Sequence, residues 1–185
     1  MKPETGRNNS FLKVIEILEQ TYTQPINIVE TGCIRNTNDE SKFGDGWSTL
    51  NWKYYSDKTK SKVFVVDINA GHIEKSKQIV PESDLITYHL SDSVEFLRVF
   101  DKKIDVLFLD SFDYCGDAEN ITACHNHSLN EVHAAWDKLN KNCFVLFDDV
   151  FAENWHGKGF LAIPYLLANG FNLVYQFDQQ ALLQR

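Results

Sequence analysis

No apolar run in the chain approaches the roughly 20 residues needed to cross a bilayer. The opening Met1-Lys2-Pro3-Glu4 is polar where a secretory segment would turn apolar. A membrane span and an export signal are therefore not expected, and a cytoplasmic location is the simplest reading. Basic excess is missing as well: 18 Lys and Arg face 26 Asp and Glu, a formal charge of −8. A polyphosphate partner would be repelled over much of such a surface, so nucleic acid is not expected. Cysteines are few and scattered, at Cys33, Cys115, Cys124 and Cys143, and no pair has the spacing of a zinc knuckle or redox dithiol. Reduced thiols are expected, with a Cys115–Cys124 bridge across a loop left open. A compact GxGxxG is absent too, which argues against a nicotinamide dinucleotide.

What is present is a globular mixture, 43% hydrophobic and 24% charged over 185 residues, enough for one domain spanning 1–185 with a packed core. Short β-rich runs alternate with segments of helical period, which predicts strands joined by crossover helices. Phe11, Leu12, Val14, Ile15 and Leu18 form one helical face, so a docking helix precedes the first strand, Ile26 to Glu30. A polar loop, Gly32 to Gly46, leads to a helix from Ser48 to Tyr55. Strands follow at Lys62 to Asp67, Leu85 to His89, Ile104 to Asp110 and Cys143 to Phe147. Between them the pattern predicts helices at Ala70 to Val80, Ser91 to Phe100 with a Ser91 cap, and Leu129 to Leu139 after a loop from Ser111 to His127. A helix from Gly159 to Asn169 and a hairpin of Phe171 to Phe177 with Ala181 to Gln184 complete the chain. The expected class is α/β, Rossmann-like and doubly wound: a mainly parallel seven-stranded sheet, helices on both faces, and a C-terminal antiparallel hairpin.

Ligands of open parallel sheets sit beyond the carboxyl ends of the strands. Those ends carry Glu30-Thr31-Gly32, Asp67, Ser91-Asp92-Ser93, Asp110 and Asp148-Asp149. One acidic strand end is unremarkable, because a carboxylate also favours a following helix N-terminus. Five around one cavity call for ligand hydroxyls, a cationic ligand or a metal. Gly32 lets a ligand approach the backbone without a Cβ in the way. Asp67 stands where a carboxylate accepts both ribose hydroxyls, helix capping being its other reading.

With these residues in place, the chain resembles the class I S-adenosylmethionine-dependent methyltransferases. Glu30-Thr31-Gly32 is similar to their first motif and Asp67 to their second-strand acid. Ser91-Asp92-Ser93-Val94-Glu95-Phe96-Leu97 is similar to the segment beside the adenine, and Asp110 to the fourth-strand acid near the methyl group. Within the superfamily, Glu30-Thr31-Gly32-Cys33-Ile34-Arg35 followed by Gly44-Asp45-Gly46-Trp47-Ser48-Thr49 resembles the split first motif of the macrocin O-methyltransferase-like group, with Asn36 to Phe43 as an insertion.

The resemblance implies an enzyme that methylates a hydroxyl of a small molecule or sugar with S-adenosylmethionine as donor. It places Glu30, Thr31 and Gly32 at the methionine end and has Ser48 close the loop. Asp67 with Ile68 falls at the ribose, Asp92 and Ser93 at the adenine, and Asp110 near the methyl. It also implies a divalent cation, Mg2+ or a similar oxygen-binding ion, at Asp110, Asp148 and Asp149; the other reading has Asp148 cap the next segment and Asp149 face solvent. Asp110 is the first candidate base. His127 is the second, with Glu131 on the same helix face at i, i+4, unless Asn126 or Ser128 caps that helix and the histidines face solvent. Trp47 and Tyr114 are candidate stacking surfaces. The expected partner is the small acceptor, with neither nucleic acid nor membrane and with a homodimer left open. A donor-cleaving enzyme and an inert ligand-binding protein on the same fold are the competing readings.

Overall fold

A computed structural model of the chain describes residues 2–151 and 154–185. In chain order the main elements are α1 (Asn8–Thr21), β1 (Asn27–Thr31), α2 (Asp39–Gly44), α3 (Ser48–Thr59), β2 (Lys62–Asp67), α4 (Ala70–Ile79), β3 (Ile86–Leu90) and α5 (Ser93–Val99). Then come β4 (Ile104–Leu109), α6 (Ala118–Ala135), β5 (Leu139–Phe147), β6 (Val150–Phe151), β7 (His156–Gly157), α7 (Gly159–Ala168), β8 (Asn172–Phe177) and β9 (Gln180–Gln184). Seven strands form one sheet in the order β3-β2-β1-β4-β5-β9-β8. Its first five strands run parallel, while β9 pairs antiparallel with both β5 and β8. The Rossmann-like sheet with its terminal hairpin is therefore as the alternation of strands and helices predicts.

Strand alternation builds two cores. Val29, Leu107, Val145 and Phe147 point to the face covered by α5, α6 and α7. Ile28, Val106, Phe108, Phe144 and Leu146 point to the opposite face, beneath α1 and α3. There Phe11 meets Trp52 edge-on at 4.8 Å and Phe108 at 5.6 Å, an arrangement that suits ring quadrupoles.

Several boundaries differ from the sequence expectation. Helix α5 begins at Ser93 and is capped by Asp92, whose side chain accepts from Glu95 N, rather than by Ser91. The loop expected from Ser111 to His127 ends early, because Asp117 accepts from Asn120 N and starts α6 at Ala118. Neither Asn126 nor Ser128 caps a helix; both lie within it. The helical period was obscured there because Cys124 is the one buried residue between Ala118 and His127, and the buried stripe of α6 gathers further along, at Ser128, Glu131, Val132 and Ala135. All four cysteines are free thiols. Among the described residues no helix is long and apolar enough to cross a membrane.

Candidate active site

Parallel alignment of β2, β1, β4 and β5 brings their carboxyl ends to one edge, and two adjoining cavities open there. The first, about 170 Å³, is walled by Gly32, Trp47, Ser48, Asp67 and Asp110. The second, about 210 Å³, is walled by Asp67, Ile68, Asp92, Ser93, Phe112 and His127. Gly32, Asp67, Ile68 and Ser111 belong to both. Gly32 has φ +88°, and a Cβ there would lie 2.5 Å from the Asp110 carbonyl oxygen, so only glycine lets β1 and β4 end this close together.

Asp67 is held rigidly. Its Oδ1 accepts from Asn69 N at 2.7 Å, and its Oδ2 accepts from Cys33 Sγ at 3.3 Å and lies 3.5 Å from His72 Nδ1. A carboxylate has about four lone-pair sites, so both oxygens keep capacity for ligand hydroxyls. Glu30 and Thr31 stand behind the cavity wall, fully buried. Thr31 Oγ1 donates to the Phe108 carbonyl at 3.3 Å. Glu30 Oε1 accepts from Ser48 Oγ at 2.5 Å, while Oε2 has no partner among the described residues. Burial pushes the Glu30 carboxyl up to about 8 despite the Ser48 hydrogen bond, with Asp110 and Asp67 adding repulsion.

His127 lines the second cavity and not the first. Its Nε2 is 3.0 Å from Ser93 Oγ and 3.5 Å from Glu131 Oε1, and Ser111 Oγ donates to the same Glu131 oxygen at 2.8 Å. Burial lowers the pKa of His127, but the hydrogen bond and charge of Glu131 outweigh it, leaving a net rise. The structure thus groups His127 with Asp92 and Ser93 in the cavity that Asp110 does not line.

The acids of β4 and β5 face cations. Lys158, only 1% exposed, directs its ammonium to Asp110 Oδ1 and to Asp149 Oδ2, the latter at 3.1 Å. Arg7 reaches the same cluster from the start of α1: Nη2 donates to Asp149 Oδ1 at 3.0 Å, and Nε lies 3.1 Å from Asp148 Oδ2 as a charge contact rather than an aligned hydrogen bond. Three carboxylates against two cations leave one excess negative charge in a largely buried cluster. Accordingly burial and the charge of Asp110 push Asp148 up to about 8, and burial raises Asp110 against the pull of Lys158. Burial would raise Asp149 as well, but Lys158 and Arg7 outweigh it and hold this carboxyl below its ordinary value. The expected metal ligands are therefore taken up by an ammonium and a guanidinium, and among the described residues no group of three His, Cys, Asp or Glu is arranged to hold a metal. As they stand, these side chains do not fit a resident cation.

Sequence reading missed both Lys158 and Arg7. The only local signal is a cation between two glycines, Gly157-Lys158-Gly159, a few residues after Asp148-Asp149; Arg7 gives none. Arg35, at the mouth of the first cavity, is held to Asp113 Oδ1 and Oδ2 at 2.6 and 2.7 Å. Trp47 lines that cavity, whereas Tyr114 stacks on His125 at 5.8 Å.

The family model described as a methyltransferase domain matches residues 42–150, from α2 to β6, including the Asp67, Asp110 and Asp148-Asp149 strand ends. No curated protein sequence matches the chain. Among solved structures, the N-methyltransferase NodS from Bradyrhizobium japonicum WM9, in complex with S-adenosyl-L-homocysteine, is similar with a TM-score of 0.60 and 13% identity over 98% of this chain and 88% of its own. The O-methyltransferase NovP gives 0.61 and 14% over 96% and 78%. MycE of the mycinamycin biosynthetic pathway, solved with Mg, S-adenosyl-L-homocysteine and mycinamycin VI, gives 0.60 and 12% over 93% of this chain and 48% of its own. At these identities the likeness is one of fold. Joined to the family match over more than half of the chain, it settles the assignment: the protein belongs to the methyltransferase domain family and has the class I S-adenosylmethionine-dependent methyltransferase fold.

Proposed function

We propose that the crevice binds S-adenosylmethionine with its methionine end in the first cavity and its adenine in the second, and that the enzyme methylates a hydroxyl of a small molecule or sugar. The observation that carries this reading is the position of Asp67, rigidly held and lining both cavities, where a ribose would join the two ends of the donor. Ile68, 73% exposed beside it, offers apolar surface to the ligand, and Ser93 and His127 supply polar atoms to the adenine. Glu30 sets the potential behind Ser48. When bound, the donor supplies a methyl group on a cationic sulfur, which acidic surroundings favour.

Asp110 lines the first cavity at the end of β4, where it would orient the acceptor and take its proton. The acceptor oxygen forms its bond to the methyl carbon as the carbon–sulfur bond breaks, the electron pair returns to sulfur, and the proton passes to Asp110. Much of the rate enhancement would come from holding this in-line geometry. The fold carries both O- and N-methyltransferases, NovP and NodS among them, so the choice of oxygen rests on the resemblance of the split first motif to the macrocin O-methyltransferase-like group.

Calorimetric titration with S-adenosyl-L-homocysteine tests the reading. We expect saturable binding that weakens about tenfold or more in Asp67→Ala, a loss of about 1.4 kcal/mol or more. Absence of binding by folded wild type, or equal affinity in the variant, would overturn it.

A further inference from the structure

We infer that Lys158 stands where a divalent cation would otherwise sit, so that the acidic ends of β4 and β5 serve methyl transfer without a metal. This rests on the reading above, since it concerns the acceptor side of that site. The three acids at these strand ends form an all-oxygen set of the kind that hard cations prefer. In this chain two of their three charges are met from within the fold, by Lys158 and Arg7.

The approach of Lys158 is built into the backbone. Gly157, at φ +98°, places its missing Cβ only 1.8 Å from the Asp149 carbonyl oxygen, so no other residue lets β7 run this close to Asp149. Lys158 N then donates to that carbonyl at 3.2 Å, and the side chain turns inward to Asp110 and Asp149. Asp149 itself adopts a left-handed φ of 50°, which turns its carboxylate between Lys158 and Arg7. The lysine gains nothing from its own helix: it is the N-cap of α7, where the helix dipole disfavours a cation. Its placement is explained by the carboxylates. Burial alone would lower its pKa, yet Asp110, Asp149 and Asp148 outweigh burial and raise it, so it is a fixed positive charge and not a base. A divalent cation and this ammonium would compete for the same oxygens.

The experiment is titration with Mn2+ alone, read by electron paramagnetic resonance and thermal shift on wild type, Lys158→Ala and Asp110→Asn. Wild type should show no saturable binding at millimolar Mn2+. Lys158→Ala, with Asp110 and Asp149 freed of the ammonium, should bind roughly tenfold or more tightly and gain thermal stability on binding. Saturable binding by wild type that Asp110→Asn removes would overturn the inference, as would a folded Lys158→Ala that acquires no affinity. If Lys158→Ala folds only with Mn2+ present, that recovery supports it; failure to recover overturns it. None of these readouts uses the donor, so loss of the donor-binding reading would appear separately, as wild type that takes up no S-adenosyl-L-homocysteine.

Discussion

Glu30 shows how one buried side chain can tie stability, pH and ligand together. Its carboxyl, ordinarily near 4.5, sits at about 8 in the folded chain, chiefly because burial penalises its charge. The folded state therefore holds a proton that the unfolded state loses as pH rises through this window. Its contribution is fully present below about pH 4.5 and is lost by about pH 8, a decline on the order of 5 kcal/mol. Asp148, also at about 8, titrates over the same range. Glu30→Gln, which can still accept from Ser48, should roughly halve the fall in unfolding free energy between pH 5 and pH 8 measured by urea titration. An unchanged slope would place the proton elsewhere. A cationic donor nearby should favour the ionised carboxyl. Binding of S-adenosylmethionine at pH 7 should accordingly release protons, visible as a dependence of calorimetric heat on buffer ionisation enthalpy, and Glu30→Gln should lose that dependence. The glutamate at the end of the first strand was readable from sequence. Its burial behind Ser48 was not, because burial depends on α3 closing over it.

At the scale of elements, α1 does more than cover the sheet. Phe11, Val14, Ile15 and Leu18 seat it in the core, as the spacing of apolar residues foretells. Arg7, immediately before its first turn, then reaches Asp148 and Asp149 at the end of β5. Breaking a buried charge pair by removing one partner typically costs about 3–5 kcal/mol, because the other charge is left uncompensated. Arg7→Met should therefore destabilise the chain by about that amount in urea melts, and a change below about 1 kcal/mol would show that the cluster does not depend on this contact. Helix α6 teaches the converse. Its N-terminal half was legible only as a polar loop, since from Ala118 to His127 only Cys124 is buried and no apolar stripe marks the helical period. Glu131 is satisfied by His127 one turn before it and by Ser111 Oγ, and the Ser111 contact joins separate segments that no local window contains.

For the whole molecule, ligand binding and folding are linked, because two cavities at the strand ends exist only when the sheet is assembled. S-adenosyl-L-homocysteine at a hundred times its dissociation constant should add about 2.7 kcal/mol, raising the melting temperature by about 5–10 °C. A ligand that shifts melting equally in Asp67→Ala would be binding elsewhere. The sequence alone determined the class of fold, the strand order's acidic edge and the family, because strand runs, crossover helices and strand-end acids are local patterns that repeat along the chain. Tertiary structure decided how those acids are used. Lys158 and Arg7 lie far apart in the chain and at opposite ends of the fold's connectivity, and only the closed sheet brings both onto Asp110, Asp148 and Asp149. Charge compensation acts through space, at a few ångströms, so its partners follow from where the chain is packed and not from what stands next to what along it.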